Sequence, residues 1–295
     1  MNRLSPILTA ALLAALPPIV AAQTIPPNAP SPVPSATPAP PSDYCTSGGL
    51  SALVSRPTQT NSVCVVPKGH VEIETGFQSQ TVVGGAGAYT DQSVPNAALR
   101  FGTPIKDVEL QLLPPTAYRA DGTSATGDAG VGAKWQIASY QNVAFGVSAS
   151  TTVVTGTNPL TNPFELGSAT AMTQNYNAQF AWQIGKVFGL AGGVQQSELA
   201  APAPAGPQHY ASTIPSLVLS AAMPASWNLF GEVYAQSHGE GPGTPTHTWL
   251  DAGVSKDVGN AQLDLNWGHA DAIVVAPGLP SVSRHYVGAG FSYEF

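Results

Sequence analysis

The stretch AGVGAKWQI at residues 129–137 decides the fold, because it alternates between two kinds of side chain. Val131, Trp135 and Ile137 are apolar, whereas Lys134 and Gln136 lie between them. A period of two residues is typical of a β-strand, whose successive side chains point to opposite faces. Similar segments, some less regular, recur from residue 68 to residue 295 and total twelve. The sequence therefore predicts an all-β domain of about twelve strands, each with an apolar and a polar face.

The gaps between these segments alternate in length. The short gaps lie near residues 104–107, 139–142, 185–186, 224–226 and 257–260. The long gaps lie near residues 79–92, 114–126, 155–171, 197–211, 238–246 and 271–283. Strict alternation of this kind is expected of an antiparallel, up-and-down transmembrane β-barrel with short periplasmic turns and long external loops.

The charged residues indicate which face of the strands points outward. Only 9% of the 295 residues are charged, against about 25% in an ordinary soluble domain. Most of the strand charges fall on the polar register: Glu72, Glu74, Arg100, Glu109, Lys134, Glu232, Asp251 and Asp264. A soluble exterior would carry more charge than this, so we expect these residues to line a lumen and the apolar face to contact lipid. Four tryptophans lie on the apolar register, where interfacial aromatic girdles would place them: Trp135, Trp182, Trp227 and Trp267.

The N-terminal part of the chain has three expected segments before the barrel at residues 68–295. Residues 1–22 have the charged head, apolar middle and small-residue cleavage site of a signal peptide. Residues 23–43 are rich in proline and form an extended periplasmic linker. Residues 44–67 contain Cys45 and Cys64, the two cysteines of the chain, and an isolated pair in an exported protein predicts a disulfide. The expected location is the bacterial outer membrane, with the N-terminal arm in the periplasm.

The C-terminal strand carries a further indication of this location. Its apolar face ends in three aromatic residues, Phe291, Tyr293 and Phe295. This pattern resembles the C-terminal strand by which the barrel-assembly machinery recognises bacterial outer-membrane proteins. The expected partners are therefore outer-membrane lipid, that machinery during biogenesis, and a small-molecule solute. Ten scattered basic residues and a net charge of −7 exclude a nucleic-acid partner.

Two stretches resemble a known family of exported barrels associated with meta-pathway phenol degradation. One is GDAGVGAKW at residues 127–135, and the other runs from Cys45 through residues 53–58 and 64–67 into EIETG at residues 72–76. The resemblance covers roughly residues 45–295. It implies an outer-membrane channel or transporter for small solutes, aromatic or other apolar nutrients among them.

The sequence lacks the common enzyme motifs, so we expect neither an enzyme nor a cofactor. It contains no Gly-x-Ser-x-Gly elbow and no phosphate-binding Gly-x-x-x-x-Gly-Lys loop. Glu72 and Glu74 share one face about 7 Å apart, a spacing that could suit carboxylate-pair hydrolysis. We favour the alternative that they are lumen carboxylates balanced by Arg100 and Lys134.

Five histidines map to the long-loop end of the last five strands: His209, His238, His247, His269 and His285. His70 lies at the other end. Imidazoles gathered at a barrel rim could bind a transition metal, whereas ordinary interfacial histidines explain the same placement. We favour the second interpretation, so no metal is expected.

Three functions fit this sequence. The first is a channel for passive or facilitated uptake of small solutes through a narrow, acid-rich lumen, which favours cations or neutral molecules. Twelve strands fall between small filled barrels and open sixteen-stranded porins, so the bore should be narrow or partly plugged. The second is a structural or adhesive barrel with a filled interior, and the third is an outer-membrane hydrolase. The sequence leaves open the solute and whether the segment around the cysteines plugs the barrel.

Overall fold

The protein is represented by a computed structural model. It describes residues 44–47, 52, 55–84, 87–120, 122–153, 155–156, 172–201, 208–238, 246–274 and 281–295. The expected signal peptide, residues 1–22, and the proline-rich linker, residues 23–43, lie outside the described residues. Within the described ranges, no helix is long and apolar enough to cross a bilayer.

The described chain consists of a short helix, α1 (Tyr44–Ser47), followed by fifteen strands. The first seven strands are β1 (Val71–Gly84), β2 (Gly87–Val94), β3 (Ala98–Gly102), β4 (Val108–Leu113), β5 (Ala117–Ala120), β6 (Thr123–Thr126) and β7 (Ala129–Tyr140). The remaining eight are β8 (Val143–Val153), β9 (Met172–Ile184), β10 (Phe188–Ala201), β11 (Gln208–Met223), β12 (Trp227–His238), β13 (Thr246–Val258), β14 (Ala261–Val274) and β15 (Ser281–Glu294). A single turn of 3-10 helix, Pro224–Ser226, joins β11 to β12.

The sheet closes on itself because β1 pairs antiparallel with β15 as well as with β3. Three of its strands are interrupted, so that β2 and β3, β4 and β5, and β6 and β7 each act as two parts of one wall strand. Pro95 lies in the first interruption, where a residue without an N–H group cannot continue a ladder. The fifteen strands thus form a twelve-stranded antiparallel barrel, and the predicted fold is confirmed.

At one end of the barrel, which we call the short-turn end, tight turns connect the strands. Every predicted short gap is a turn there, and each turn contains a residue with positive φ: Asp107, Gln141, Gly185, Ala225 with Ser226, and Gly259. Positive φ is the usual requirement of short hairpin loops between twisted strands.

At the opposite, long-loop end the strands are longer than the sequence predicts. Within the predicted gap 79–92, β1 runs to Gly84 and β2 starts at Gly87, and the predicted gap 114–126 holds the β5–β6 hairpin. The nine uninterrupted wall strands have 11 to 16 residues, whereas about 9–11 residues cross a bilayer. In β1, Ser79 and Thr81 lie on the outward register between Phe77 and Val83, so hydrophobic alternation is lost before the strand ends.

The outer face of the barrel is apolar and the inner face is polar. Large outward side chains such as Leu265, 60% exposed, and Trp135, 52% exposed, have no protein cover. Aromatic residues cluster on this face beside the short turns: Tyr140, Trp182, Phe188, Trp227 and Phe295. Inward positions of the same strands hold buried charged and amide side chains. This inverted distribution is that of a barrel that spans a membrane.

Candidate functional site: the plugged lumen

The lumen contains residues 55–66, which we call the plug. A disulfide with an S–S distance of 2.07 Å joins Cys64 to Cys45 in α1, which confirms the predicted bridge. Val63 and Cys64 are buried, and Val63 packs against Ala144 and Ala181 of the barrel wall. Tyr44 packs beside the disulfide, where burial raises the pKa of its hydroxyl. The plug makes contacts with strands on several sides of the lumen, so it fills the bore at this level.

Five charged side chains of β1, β3, β4 and β7 form the ionic cluster: Glu72, Glu74, Arg100, Glu109 and Lys134. Arg100 lies at its centre, with Nη1 3.0 Å from Glu72 Oε2 and 2.8 Å from Glu74 Oε1. Its Nε donates to Glu109 Oε1 at 2.9 Å, and Lys134 Nζ lies 3.4 Å from the same oxygen. All five are buried. Removal of one partner from a buried ionic group typically costs about 3–5 kcal/mol, because the other charge is left uncompensated.

The ionic cluster also holds the plug. Arg100 Nη2 and Lys134 Nζ each donate to the carbonyl oxygen of Cys64 at 3.0 Å, and Lys134 donates to that of Ser62 as well. In the other direction, the amide of Val66 donates to Glu109 Oε2 at 2.8 Å, and that of Ser55 donates to Glu74 at 3.0 Å. The side chains of the wall therefore satisfy the backbone of the plug, which would otherwise lose its hydrogen bonds to water on burial.

Glu232 of β12 makes the second attachment. Its carboxylate accepts hydrogen bonds from the backbone amides of Gln59 at 2.7 Å and Thr60 at 2.8 Å, and from the Thr60 hydroxyl at 2.8 Å. Charge-assisted bonds of this length are about twice as strong as neutral ones. The plug is thus held from opposite directions around the wall, at the ionic cluster and at β12.

The third attachment is the side chain of Arg56, whose Nη2 lies 3.7 Å from Asp264 Oδ1 in β14. Its guanidinium lies over Gly76 of β1 and Gly290 of β15, which are direct partners across the seam of the barrel. A Cβ atom at either glycine would overlap the guanidinium or the Asp264 carboxylate. The absence of a side chain at these two positions therefore creates the space that Arg56 occupies.

The part of the wall formed by β8–β11, which we call the neutral wall, differs from the rest of the wall in its charge. The single carboxylate in these four strands is Glu198, which is exposed on the outer face. Amides and hydroxyls dominate the inner face beside the plug: Ser148, Ser150, Asn175, Asn177, Gln179, Gln195, Ser197 and Ser216. They bond to one another, as Ser197 Oγ does to Asn175 Oδ1 at 2.6 Å. The plug meets this wall through uncharged contacts, such as Gln59 Nε2 to Gln195 Oε1 at 3.4 Å.

Two spaces border the plug on this side. A cavity of about 10 Å³, large enough for one water molecule, lies between plug residues 59–61 and the neutral wall. Gln179 Nε2 is buried beside it without a hydrogen-bond partner among the described residues. A vestibule of about 890 Å³ opens at the short-turn end between Tyr44 and the turns of the β7–β8, β9–β10 and β11–β12 hairpins. The structure thus places water-accessible space next to the neutral wall in two places, beside the plug and at the short-turn end.

The fifth tryptophan, Trp249, is inside the barrel. It is 6% exposed and stacks with Tyr234, its direct partner on β12, with ring centroids 5.7 Å apart. Tyr286 tilts against Trp249 from the other side and donates its hydroxyl to Asp251. These aromatic rings narrow the lumen between the plug and the long-loop end.

The structure places all eight charged candidates on the inner face, where each is buried. Each of the six lumen acids lies against a basic group, a hydroxyl group or the plug, and these contacts were not part of the expectation of an acid-rich bore. Among them, Glu72, Glu74 and Glu109 bind Arg100, Glu232 binds the plug, Asp251 accepts from Tyr286, and Asp264 lies beside Arg56. The sequence left open whether the segment around the cysteines plugs the barrel, and it did not identify Arg56 as a lumen cation. The excess of six lumen acids over two lumen bases was the signal that a further cation is needed.

The C-terminal aromatic residues end β15, where the amide of Phe295 donates to the carbonyl of Val71 at 2.8 Å across the seam. Of the five histidines, the structure brings His269 and His285 together, with Nδ1 atoms 3.1 Å apart. The backbones of His209, His238 and His247 lie in β11, β12 and β13, and their side chains are outside the described part. No group of three or more possible metal ligands occurs among the described residues.

Comparisons with known proteins add little to this geometry. No protein-family model matches the sequence, and no curated protein is similar to it. The resemblance to the meta-pathway family therefore rests on the short motifs quoted above.

Several solved barrels are similar in structure. The translocator domain of the autotransporter NalP from Neisseria meningitidis covers 82% of this chain and 91% of its own, at 10% identity and a TM-score of 0.49. The NanC porin covers 76% and 98%, at 8% identity and 0.48. The toluene transporter TodX of Pseudomonas putida covers 85% and 94%, at 13% identity and 0.42. At such low identities and scores, these likenesses carry no inference about what this chain transports.

Proposed function

We propose that this protein is a bacterial outer-membrane channel for small, uncharged polar solutes, which its own plug holds closed for most of the time. The observation that carries the proposal is the asymmetry of the lumen. Charged groups anchor the plug along the wall from β12 through the seam to β7, whereas the neutral wall meets it through few, uncharged contacts with a cavity between them. A solute path that opens along β8–β11 would leave the ionic cluster intact.

The chemistry of the neutral wall favours polar, uncharged solutes. Its amides and hydroxyls can both donate and accept hydrogen bonds, as a hydroxyl-rich solute requires. An ion that enters this narrow space would lose water without meeting an opposite charge, which is unfavourable. The resemblance to the meta-pathway family points instead to aromatic or apolar solutes, and a panel of solutes distinguishes the two classes.

The proposed orientation follows the general plan of outer-membrane barrels. The short-turn end and its vestibule would face the periplasm, from which the expected linker enters, and the long-loop end would face outward. Export by the signal peptide, delivery to the barrel-assembly machinery and contact with outer-membrane lipid belong to the same proposal.

A filled structural or adhesive barrel is the second candidate. It is favoured by the extent of the plug attachment, which includes three charged sites and the disulfide. The two candidates differ in one measurable respect, because a structural barrel passes no solute under any condition.

The test uses the purified full-length chain in liposomes that contain an impermeant sugar. We expect small neutral sugars and polyols to swell the liposomes faster than anions or cations of equal size, and faster than an apolar aromatic solute. Asn177→Trp would fill the space beside the plug and reduce swelling. Tyr176→Trp, the adjacent outward position on the same strand, is the matched control and should change nothing.

Two outcomes would contradict the proposal. Preferential entry of the aromatic solute would overturn the solute class. The absence of swelling and of conductance, both in the natural chain and in a variant with a weakened plug attachment, would favour the structural barrel.

A further inference from the structure

Two histidines face each other on the outside of the barrel, independent of the lumen and the proposed channel. His269 of β14 and His285 of β15 are direct cross-strand partners. They occupy the same register as the outward Trp267 and Val287, two residues farther toward the long-loop end. Their rings stack with centroids 4.5 Å apart, and their Nδ1 atoms are 3.1 Å apart. We call these two residues the histidine pair.

The distance between the two Nδ1 atoms matches the distance between two nitrogen atoms that bind the same metal ion. With metal–nitrogen distances of about 2.0–2.1 Å, an ion bound to both atoms would have an N–metal–N angle of about 100°, between the octahedral and tetrahedral values. Without an ion, one ring donates its Nδ1 hydrogen to the other. On binding, that hydrogen moves to Nε2 of the same ring, so both imidazoles stay neutral, and the rings turn from their stacked arrangement until both in-plane Nδ1 lone pairs point to the ion.

The surroundings hold the histidine pair in this geometry. The two strands pair without interruption from Ala261 opposite Tyr293 to Ala270 opposite Arg284, so the two Cα positions are fixed by the ladder. The indole of Trp267 stacks on the His269 ring with centroids 6.3 Å apart and an interplanar angle of 8°. Ligands fixed before binding lose little freedom when the ion arrives, which favours chelation.

We propose that the histidine pair binds one divalent transition-metal ion at the outer surface of the barrel. Imidazole nitrogens suit copper, zinc and nickel, and affinity should be greatest for Cu²⁺. Among the described residues, no group of three or more possible metal ligands occurs, so the proposal assigns two protein ligands to the ion. A site with two protein ligands would exchange its metal more readily than a structural zinc site with four.

In the test, the full-length chain in detergent micelles is titrated with Cu²⁺ as the only added metal, and binding is monitored by electron paramagnetic resonance. We expect nitrogen hyperfine structure from two imidazoles in the natural chain. His269→Ala and His285→Ala should each remove one nitrogen from the spectrum. Each should also weaken binding by at least about tenfold, because even second-shell changes at metal sites cost that much. His70→Ala at the short-turn end is the matched control and should leave the titration unchanged.

Tryptophan fluorescence gives a second readout. Bound Cu²⁺ should quench Trp267, which lies against His269, and Trp267→Phe should remove this quenching while the paramagnetic signal remains. The proposal is overturned if both alanine variants bind Cu²⁺ as the natural chain does. It is also overturned if the spectrum of the natural chain shows fewer than two nitrogens.

Discussion

The attachment of the plug to Glu232 gives the sharpest prediction for the channel. Glu232→Gln keeps the size of the side chain but places an NH₂ group where a carboxylate oxygen accepted a hydrogen bond from the amide of Gln59 or Thr60. Hydrogen bonds to a charged group contribute about 1.5–3 kcal/mol each, so we estimate a net loss of about 2 kcal/mol of plug attachment. That loss raises the ratio of displaced to seated plug by about 30-fold.

The assay is single-channel recording in planar bilayers at fixed voltage and salt. The fraction of time spent in conducting states should rise by about 30-fold in Glu232→Gln. Asp251→Asn is the matched control, because Asp251 lies directly opposite Glu232 on β13, faces the same lumen and contacts Tyr286. It should change this fraction much less.

A double-mutant cycle with Thr60→Ala tests whether the effect of Glu232→Gln comes from the loss of its contact with Thr60 or from a general destabilisation of the plug. Because Thr60 donates to Glu232 through both its amide and its hydroxyl, the effects of the two substitutions should be non-additive by about 0.5 kcal/mol or more. The reasoning is refuted if Glu232→Gln conducts as the natural chain does while its barrel is folded. An equal increase in Asp251→Asn would refute it as well.

Three further predictions concern the plug and the wall. Gly290→Ala removes the space of the plug arginine and should increase conductance, whereas Gly231→Ala, where a Cβ has room, should not. Cys45→Ser opens a loop of 19 residues and should destabilise the seated plug by about 3 kcal/mol; dithiothreitol should increase the conductance of the natural chain and leave that of the variant unchanged. Leu265→Arg on the outer face should lower the free energy of unfolding in lipid vesicles by about 2–4 kcal/mol, against about 0–1 kcal/mol for Val258→Arg at the short-turn end. Equal losses at these two positions in urea titrations would contradict the assignment of the lipid-facing belt.

The strands could be predicted because their signal is local. In residues 129–137, side chains that are adjacent in sequence point in turn to the lipid and to the lumen. The lipid favours apolar side chains and the lumen favours polar ones, so the pattern can be recognised within a single segment. The prediction ended too early at the long-loop end of β1, because Ser79 and Thr81 interrupt the apolar register before Val83. Low charge and alternating gap lengths were sufficient to predict a transmembrane barrel rather than a soluble one.

The position of the plug could not be predicted because its contacts are non-local. Arg56 bonds to the carbonyl of Ala289, 233 residues away, and no periodicity connects the two. The sequence did predict that Arg100 and Lys134 balance Glu72 and Glu74, since all four fall on one face. What it lacked was the path of residues 55–66, a segment without regular structure whose position depends on the closed wall. The absence of carboxylates from the inner face of β8–β11 was visible in the sequence and would have indicated the neutral side.

The plug also affects how the barrel can close. It bonds to β1, β3, β4 and β7 at the start of the wall and to β12, β14 and β15 near its end. Contact between the first and last strands requires chain ends more than 200 residues apart to meet, with a large loss of conformational entropy. A segment that binds both groups of strands links the two sides of the seam, so we expect its bonds to offset part of this entropy loss in the folded barrel. Residues 55–66 therefore contribute to the closure of the wall as well as to the filling of its lumen.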